Sequence, residues 1–224
     1  MSGISKTIAN RTQPKKADIH VAGVVLAGGR SRRFKGAEKA LQILAGRSLI
    51  QRVIGRARPQ VDNLVISTNG DPSRFPKYAN SVVVIDDMEG YQGPLAGLAA
   101  CISWLTKDRP KTRWVATFPV DSPFFPKNLV ASLCAEALTK GVPAFVVSGG
   151  RVHPVFGLWP VSIEPELRRY LVKRKRSSMA DFIRSQDGIE VVLATSSPDP
   201  FFNINTEEDL ILAEYICREL GCGD

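Results

Sequence analysis

The chain has 224 residues, 44% hydrophobic, 23% charged and 8% aromatic, which excludes a disordered chain, a collagen-like repeat and a disulfide-dominated miniprotein and leaves a globular protein with one sizeable core. Thirty Lys and Arg oppose 22 Asp and Glu, a formal +8, which favours an anionic partner: nucleic acid, a phosphorylated ligand or a membrane surface. Residues 1–20 carry Lys6, Arg11, Lys15 and Lys16 against Asp18. Little apolar surface there offsets the entropy of ordering, so a disordered N-terminal extension is expected. Strand-length apolar runs follow at residues 21–26, 63–67, 82–85, 114–118 and 144–147, bounded by Gly, Pro, Asn or Asp. Residues 48–58, 95–106 and 128–139 carry apolar positions at helical spacing. Further helices are predicted over 163–172, 179–185 and 207–219, the last entered through Thr206 with an acidic first turn.

This alternation predicts βαβ units: a single α/β domain over residues 21–224, three-layered, with a mainly parallel central sheet between helices. Cys101, Cys134, Cys217 and Cys222 are scattered, with no C-x-x-C pair and no nearby histidine. They read as reduced thiols rather than a zinc site. With no secretory signal and no apolar run of roughly 18 residues, a cytoplasmic protein without membrane contact is expected.

In open α/β sheets ligands bind beyond the carboxyl ends of the strands, and the residues found there are rich in chemistry. The first run ends in Leu26-Ala27-Gly28-Gly29, followed by Arg30, Arg32, Arg33, Lys35 and Lys39; the second ends near Asn69, the third at Asp86-Asp87, and the fourth at Pro119-Val120-Asp121-Ser122-Pro123. Paired glycines after a strand let backbone N–H groups approach a phosphate, and Arg30, Arg33 and Lys39 can neutralise a triphosphate. The loop is neither a Walker A loop nor a G-x-G-x-x-G turn, so P-loop NTPase and Rossmann dehydrogenase readings are disfavoured. Asp121, fixed at a strand end opposite this loop, has the geometry to hold a Mg²⁺ that bridges substrate phosphates. Asp86 or Asp87 can serve a nucleoside, by pairing with guanine N–H groups or by accepting from ribose hydroxyls. Gly93-Pro94-Leu95-Ala96-Gly97 opens a helix that a ligand can approach closely. Arg151-Val152-His153-Pro154 and Phe202-Asn203-Ile204-Asn205-Thr206 offer polar groups for a second ligand.

Taken in order, these segments resemble the molybdenum cofactor guanylyltransferase family of nucleotidyltransferases. The resemblance runs from about Gly23 to Ile216 and rests on Leu26-Ala27-Gly28-Gly29 with Arg33 and Lys39, Tyr91-Gln92-Gly93-Pro94-Leu95-Ala96-Gly97, Pro119-Val120-Asp121-Ser122-Pro123, His153-Pro154-Val155-Phe156-Gly157-Leu158 and Phe202-Asn203-Ile204-Asn205-Thr206. It implies a Rossmann-like nucleotidyltransferase fold whose N-terminal part binds GTP and whose C-terminal part binds molybdopterin. By the same resemblance, Leu26, Ala27, Gly28 and Gly29 bind GTP, Lys39 and Arg33 serve its phosphates in catalysis, Asn69 and Asp86 contact the nucleoside, and Asp121 holds Mg²⁺. His153, Asn203 and Asn205 fall on the molybdopterin side. The implied reaction is attack of the molybdopterin phosphate on the α-phosphorus of GTP, with pyrophosphate leaving. A monomer that hands its product to a molybdenum-insertion enzyme or a target-enzyme chaperone is expected.

Three departures from the family pattern stand out: Lys35 in place of a glycine, Glu38 in place of an aspartate, and Glu207 where a proline is common. The nearest alternative is a cytidylyltransferase or other nucleotidyltransferase of the same fold; Gly29 favours guanine, because cytidine-using relatives tend to read Leu-Ala-Ala-Gly here. A non-catalytic nucleotide or nucleic-acid binder is disfavoured, since Tyr170 is the sole aromatic within the basic cluster at 168–176 and base stacking wants several.

Overall fold

Along the first strand, β1 (His20–Leu26), every residue from position 21 to 25 is buried, the mark of a strand covered on both faces. The computed structural model of the chain describes residues 19–28, 38–69, 75, 82–85, 93–173 and 178–221. Of the extension expected at 1–20, residues 1–18 lie outside these. His20 already belongs to β1, and Ile19 packs against the core.

After β1 come a small hairpin of β2 (Ile43–Leu44) and β3 (Arg47–Ser48), then α1 (Leu49–Ala57), β4 (Asn63–Thr68), β5 (Val82–Ile85), α2 (Pro94–Asp108) and β6 (Thr112–Pro119). The second half holds α3 (Leu129–Lys140), β7 (Ala144–Ser148), β8 (Arg151–Pro160), α4 (Glu164–Lys173), α5 (Met179–Arg184), β9 (Ile189–Leu193) and α6 (Glu207–Glu219). Seven strands form one sheet in the order β5-β4-β1-β6-β8-β7-β9. Strands β5, β4, β1 and β6 run parallel, β8 runs antiparallel to both β6 and β7, and β9 lies parallel to β7.

The three layers follow from the period-2 alternation of β1. Val21 and Val25 face one cluster with α1 and α3, whereas Ala22 and Val24 face the other with α2, α4 and α5. A third cluster, including Leu44, Phe124, Ile204 and Ile216, seats α6 against the hairpin. Local signals set several helix ends. Ser48 and Gln51 form a capping box at α1, Thr206 and Asp209 do so at α6, and Gly141 takes the left-handed conformation after α3.

The predicted strands and helices all occur, and the structure adds four strands: the two of the β2–β3 hairpin, β8 and β9. His153 and Pro154 interrupt the apolar run of β8, so its start reads in sequence as a polar segment end, and in β9 the exposed Glu190 and Val192 dilute the strand pattern. The basic cluster at 168–176 is partly compensated on α4: Arg168 pairs with Glu164 and Arg169 with Glu166. Among the described residues Cys101, Cys134 and Cys217 form no disulfide; Cys101 and Cys217 are buried and Cys134 half-buried.

Candidate functional site

The carboxyl ends of three parallel strands lie level, because Leu26 is in register with Ser67 on one side and with Pro119 on the other. The turns beyond them are tied across the sheet: Ala27 N–H donates to the Ser67 carbonyl at 2.9 Å, and Val120 N–H to the Leu26 carbonyl at 3.2 Å. The chain runs outward from β1 on one side and resumes at β6 on the other, so a crevice opens here, as expected where strand order reverses. It is a cleft of about 370 Å³, within the usual range for small-molecule sites.

One wall comes from Leu26, Ala27, Gly28, Ser67, Thr68 and Asn69, together with the start of α2. Close packing explains two glycines. A Cβ on Gly28 would meet the Asn69 backbone nitrogen at 3.3 Å, and one on Gly97 would stand 2.3 Å from Ser67 Oγ. Gly93 at the entrance of α2 has φ +120°, a value that excludes most side chains, and Pro94 follows at the first helical position.

Lys39 opens a short 3-10 turn and reaches the floor of the cleft, where its ammonium donates to Asp121 Oδ2 at 2.7 Å and to Asn205 Oδ1 at 2.8 Å. The ion pair is largely shielded, with side chains 16% and 26% exposed. Three distant segments thus converge on one point: the stretch after the loop, the end of β6 and the entry to α6. The Asp121 carbonyl also accepts from Ile204 N–H at 2.8 Å, and Asp209, which caps α6, accepts from Asn205 N–H at 2.8 Å.

The opposite wall is Val152, His153, Pro154, Val155 and Phe156 of β8, with Asn203 beside it. Between β7 and β8 the register jumps from Phe145 opposite Gly157 to Val146 opposite His153, and residues 154–156 pair in neither neighbouring ladder. Pro154 has no N–H to give to a ladder, which suits a bulge. Thr117 pins it: its hydroxyl donates to the Val155 carbonyl at 2.6 Å and accepts from Gly157 N–H at 3.2 Å and Trp159 Nε1 at 3.1 Å. His153 stacks on Phe201 with centroids 4.8 Å apart. Burial pushes its imidazole below the ordinary 6.5; Asp199 and the Ser148 carbonyl oppose that shift, while Arg151 adds to it. Its Nε2 is buried and has no hydrogen-bond partner among the described residues.

Of the expected site residues, Leu26, Ala27, Gly28, Lys39, Asn69, Asp121, His153 and Asn203 line this one cleft, and Asn205 joins it through Lys39 rather than beside Asn203. Gly29, Arg33 and Asp86 lie outside the described residues. Sequence reading passed over Ser67, Gly97 as a contact of Ser67, Thr117 and Ser122. Thr117 and Ser122 are buried hydroxyls next to a strand end, and that was the available signal. Among the described residues no group of three or more His, Cys, Asp or Glu side chains could hold a metal ion; of the described residues that line the cleft Asp121 is the one carboxylate, and it could hold a divalent ion shared with substrate phosphates. One carboxylate with phosphate oxygens and water suits Mg²⁺, which rarely takes an all-protein cage.

Residues 23–189 match the family model described as MobA-like NTP transferase domain. A protein of a Bradyrhizobium species named molybdenum cofactor guanylyltransferase is 42% identical over 197 residues, covering 88% of this chain and 92% of its own. A protein of that name from Mesorhizobium japonicum is 38% identical, covering 89% and 97%. Among solved structures, molybdopterin-guanine dinucleotide biosynthesis protein A from Archaeoglobus fulgidus superposes with a TM-score of 0.70 at 22% identity over 88% of this chain and 99% of its own. The 4-diphosphocytidyl-2C-methyl-D-erythritol synthase of Anaerococcus prevotii does so with a TM-score of 0.69 at 14% identity, over 90% and 97%. The same backbone therefore accompanies different names. Matched over most of its length by the family model and by relatives near 40% identity, the chain belongs to the MobA-like nucleotidyltransferases, in the molybdenum cofactor guanylyltransferase family.

Proposed function

We propose that the chain transfers GMP from GTP to the terminal phosphate of molybdopterin, with or without bound molybdenum, forming the guanine dinucleotide cofactor and pyrophosphate. The observation that carries this reading is the Lys39–Asp121 pair at the junction of two unlike walls, one of glycines and strand ends and the other of β8 and Asn203. A cation and a carboxylate at that seam are what two phosphorylated substrates need to meet.

A phosphate oxygen of molybdopterin attacks the α-phosphorus, and the bond to the bridging oxygen of the β-phosphate breaks. The attacking group is already anionic near neutral pH, so no side chain need remove a proton. The enzyme's task is to hold two anions together and offset the charge that builds on the departing pyrophosphate. Lys39 supplies a positive charge held in place by Asp121 and Asn205. Asp121 is suited to hold Mg²⁺, which when bound would neutralise phosphate charge. The backbone at 26–28, Asn69, Asn203 and His153 all line the cleft, and in this reading the first two serve the nucleotide and the last two the acceptor. Arg33 and Asp86 join this reading on sequence alone, as phosphate and nucleoside contacts.

The test is pyrophosphate release from each of the four NTPs with molybdopterin as acceptor and Mg²⁺ present. GTP alone is expected to support turnover; activity with CTP but not GTP would make the chain a cytidylyltransferase of the same fold. Omission of Mg²⁺ is expected to stop the reaction.

A further inference from the structure

Beyond the turn that carries Asp121 the chain forms a second hollow, of about 520 Å³, which shares no lining residue with the cleft. Among the described residues its lining carries four cations and no Asp or Glu: Arg47 of the β2–β3 hairpin, Arg52 and Arg56 of α1, and Lys127 ahead of α3. Backbone carbonyls fix two of these cations in place. Arg52 donates from Nε to Leu44 at 2.6 Å and from Nη2 to Ala45 at 2.5 Å, and Arg56 donates from Nε to Phe125. A carbonyl orders a guanidinium without cancelling its charge. Arg47 and Lys127 are exposed.

Helix α1 gives up stability on this face. Its other face buries Leu49, Ile50, Val53 and Ala57, whereas Arg52 and Arg56, one turn apart, set like charges side by side, an unfavourable spacing. Between them, inside the helix, stands Gly55, where alanine would be better. No packing demands this glycine: a Cβ there would meet no atom within 4 Å, and its φ is not positive. Gly55 lines the hollow, so its bare backbone gives a ligand a close approach to the helix. A bound anion accounts for both features, since it offsets the arginine repulsion and fills the space left open.

We propose that this hollow is a second anion site, separate from the catalytic cleft, which takes a polyphosphate group such as inorganic pyrophosphate or the tail of a nucleotide. Guanidinium forks match phosphate oxygens two at a time. A polyphosphate also gathers several charges in a compact body, as four cations around one hollow require, whereas an acidic peptide spreads its carboxylates along a chain. The site uses none of the residues assigned to guanylyl transfer and stands or falls apart from that reading.

Equilibrium dialysis of radiolabelled inorganic pyrophosphate against the full chain, without divalent ions, is expected to find two sites in the wild type. Lys39→Met should weaken the one in the cleft and leave the other. Gly55→Leu, and the double variant Arg47→Gln with Lys127→Gln, should do the reverse, weakening the second site by at least about tenfold while kcat and the GTP KM stay within about twofold of wild type. Gly55→Leu should also raise Tm by about 2–4 °C, because a good helix former replaces glycine where its Cβ has room; a lower Tm would trace the glycine to packing and remove it from the site. Arg47 and Lys127 lie at the surface, so the double variant carries the binding test even if Gly55→Leu does not fold. A hexa-aspartate peptide is expected not to displace pyrophosphate from the second site. A single wild-type site that disappears in Lys39→Met, a second site undiminished in the double variant, or displacement by hexa-aspartate overturns the proposal.

Discussion

Replacing Lys39 with methionine keeps the length and apolar stem of the side chain and removes its charge and three donors. In the nucleotide-free protein two charge-assisted bonds disappear, at 2.7 Å to Asp121 and 2.8 Å to Asn205. Each such bond contributes about 1.5–3 kcal/mol when well buried, but a pair that water reaches contributes far less, about 0.2–1 kcal/mol at full exposure. With the two side chains 16% and 26% exposed, and the orphaned carboxylate still able to draw in water, a net loss of about 1–2 kcal/mol follows. For a chain of this size that lowers Tm by about 2–8 °C. In the proposed reaction the effect on turnover is larger, because the ammonium would offset the charge that develops on the leaving pyrophosphate. Loss of one preorganised donor of that kind costs about 2.7–4 kcal/mol, or 10²–10³ in kcat. Turnover would be followed by coupled pyrophosphate release at saturating GTP and molybdopterin, with stability followed by circular dichroism. A Lys39→Met protein that melts within this range yet keeps kcat within about tenfold of wild type would refute the role assigned to Lys39.

Four further outcomes are expected. Asp121→Ala should abolish Mg²⁺-dependent turnover in a protein that still folds, since the carboxylate is a quarter exposed and outside the main clusters; retained turnover across a Mg²⁺ titration rules out its metal role. Asn205→Leu should lower kcat by about tenfold through loss of one bond to the Lys39 ammonium while leaving the molybdopterin KM alone, and a pure KM effect on molybdopterin would return Asn205 to the acceptor side. Gly97→Ala should destabilise by about 1–3 kcal/mol through overpacking, despite the better helix propensity of alanine, since its Cβ would stand 2.3 Å from Ser67 Oγ. Adding Ser67→Ala should recover most of that loss in urea titrations, because the next contact, to Ser67 Cβ, is 3.4 Å; a double variant no more stable than Gly97→Ala contradicts the contact. His153 is neutral more readily in the folded protein than its ordinary 6.5 allows, chiefly through burial. Between 6.5 and its lowered folded value the unfolded chain binds more protons, so this part of the stability is present above 6.5 and lost as pH falls through the folded value. His153→Asn should flatten the stability profile below pH 6.5, and an unchanged slope between the two proteins counts against the linkage.

The parts of the fold that local pattern dictates were legible. A doubly covered strand such as β1 reads as an unbroken apolar run, and the caps at Ser48 and Thr206 stand at the starts of their helices. Strand β8 was hidden because its middle departs from the ladder: Pro154 and the unpaired residues 154–156 break the pattern that identifies strands. The short hairpin of Ile43–Leu44 with Arg47–Ser48 has too few residues to show any period. Within the site, Gly28, Lys39 and Asp121 could be found because glycine turns, lone cations and strand-end carboxylates have recognisable chemistry. That Asn205 serves Lys39, and that Ser122 engages Asn203, depends on contacts across 166 and 81 positions of sequence. No spacing rule reaches that far.

The two walls of the cleft differ in how they can be altered. The nucleotide side is made of turns beyond strand ends, which tolerate changes of length. The acceptor side is a stretch of strand hemmed in by β6 and β7, fastened at its bulge by the hydroxyl of Thr117. Adding one residue between Gly157 and Pro160 would exchange inward and outward faces along the stretch paired with β6, bringing Trp159 out of the core where it is now fully enclosed. Within that paired stretch the proposed acceptor side therefore cannot be retuned by lengthening or shortening the chain. A protein with this architecture that takes a different acceptor has to do so by exchanging side chains in place, at positions such as 152, 153 and 203, with the backbone left as it is.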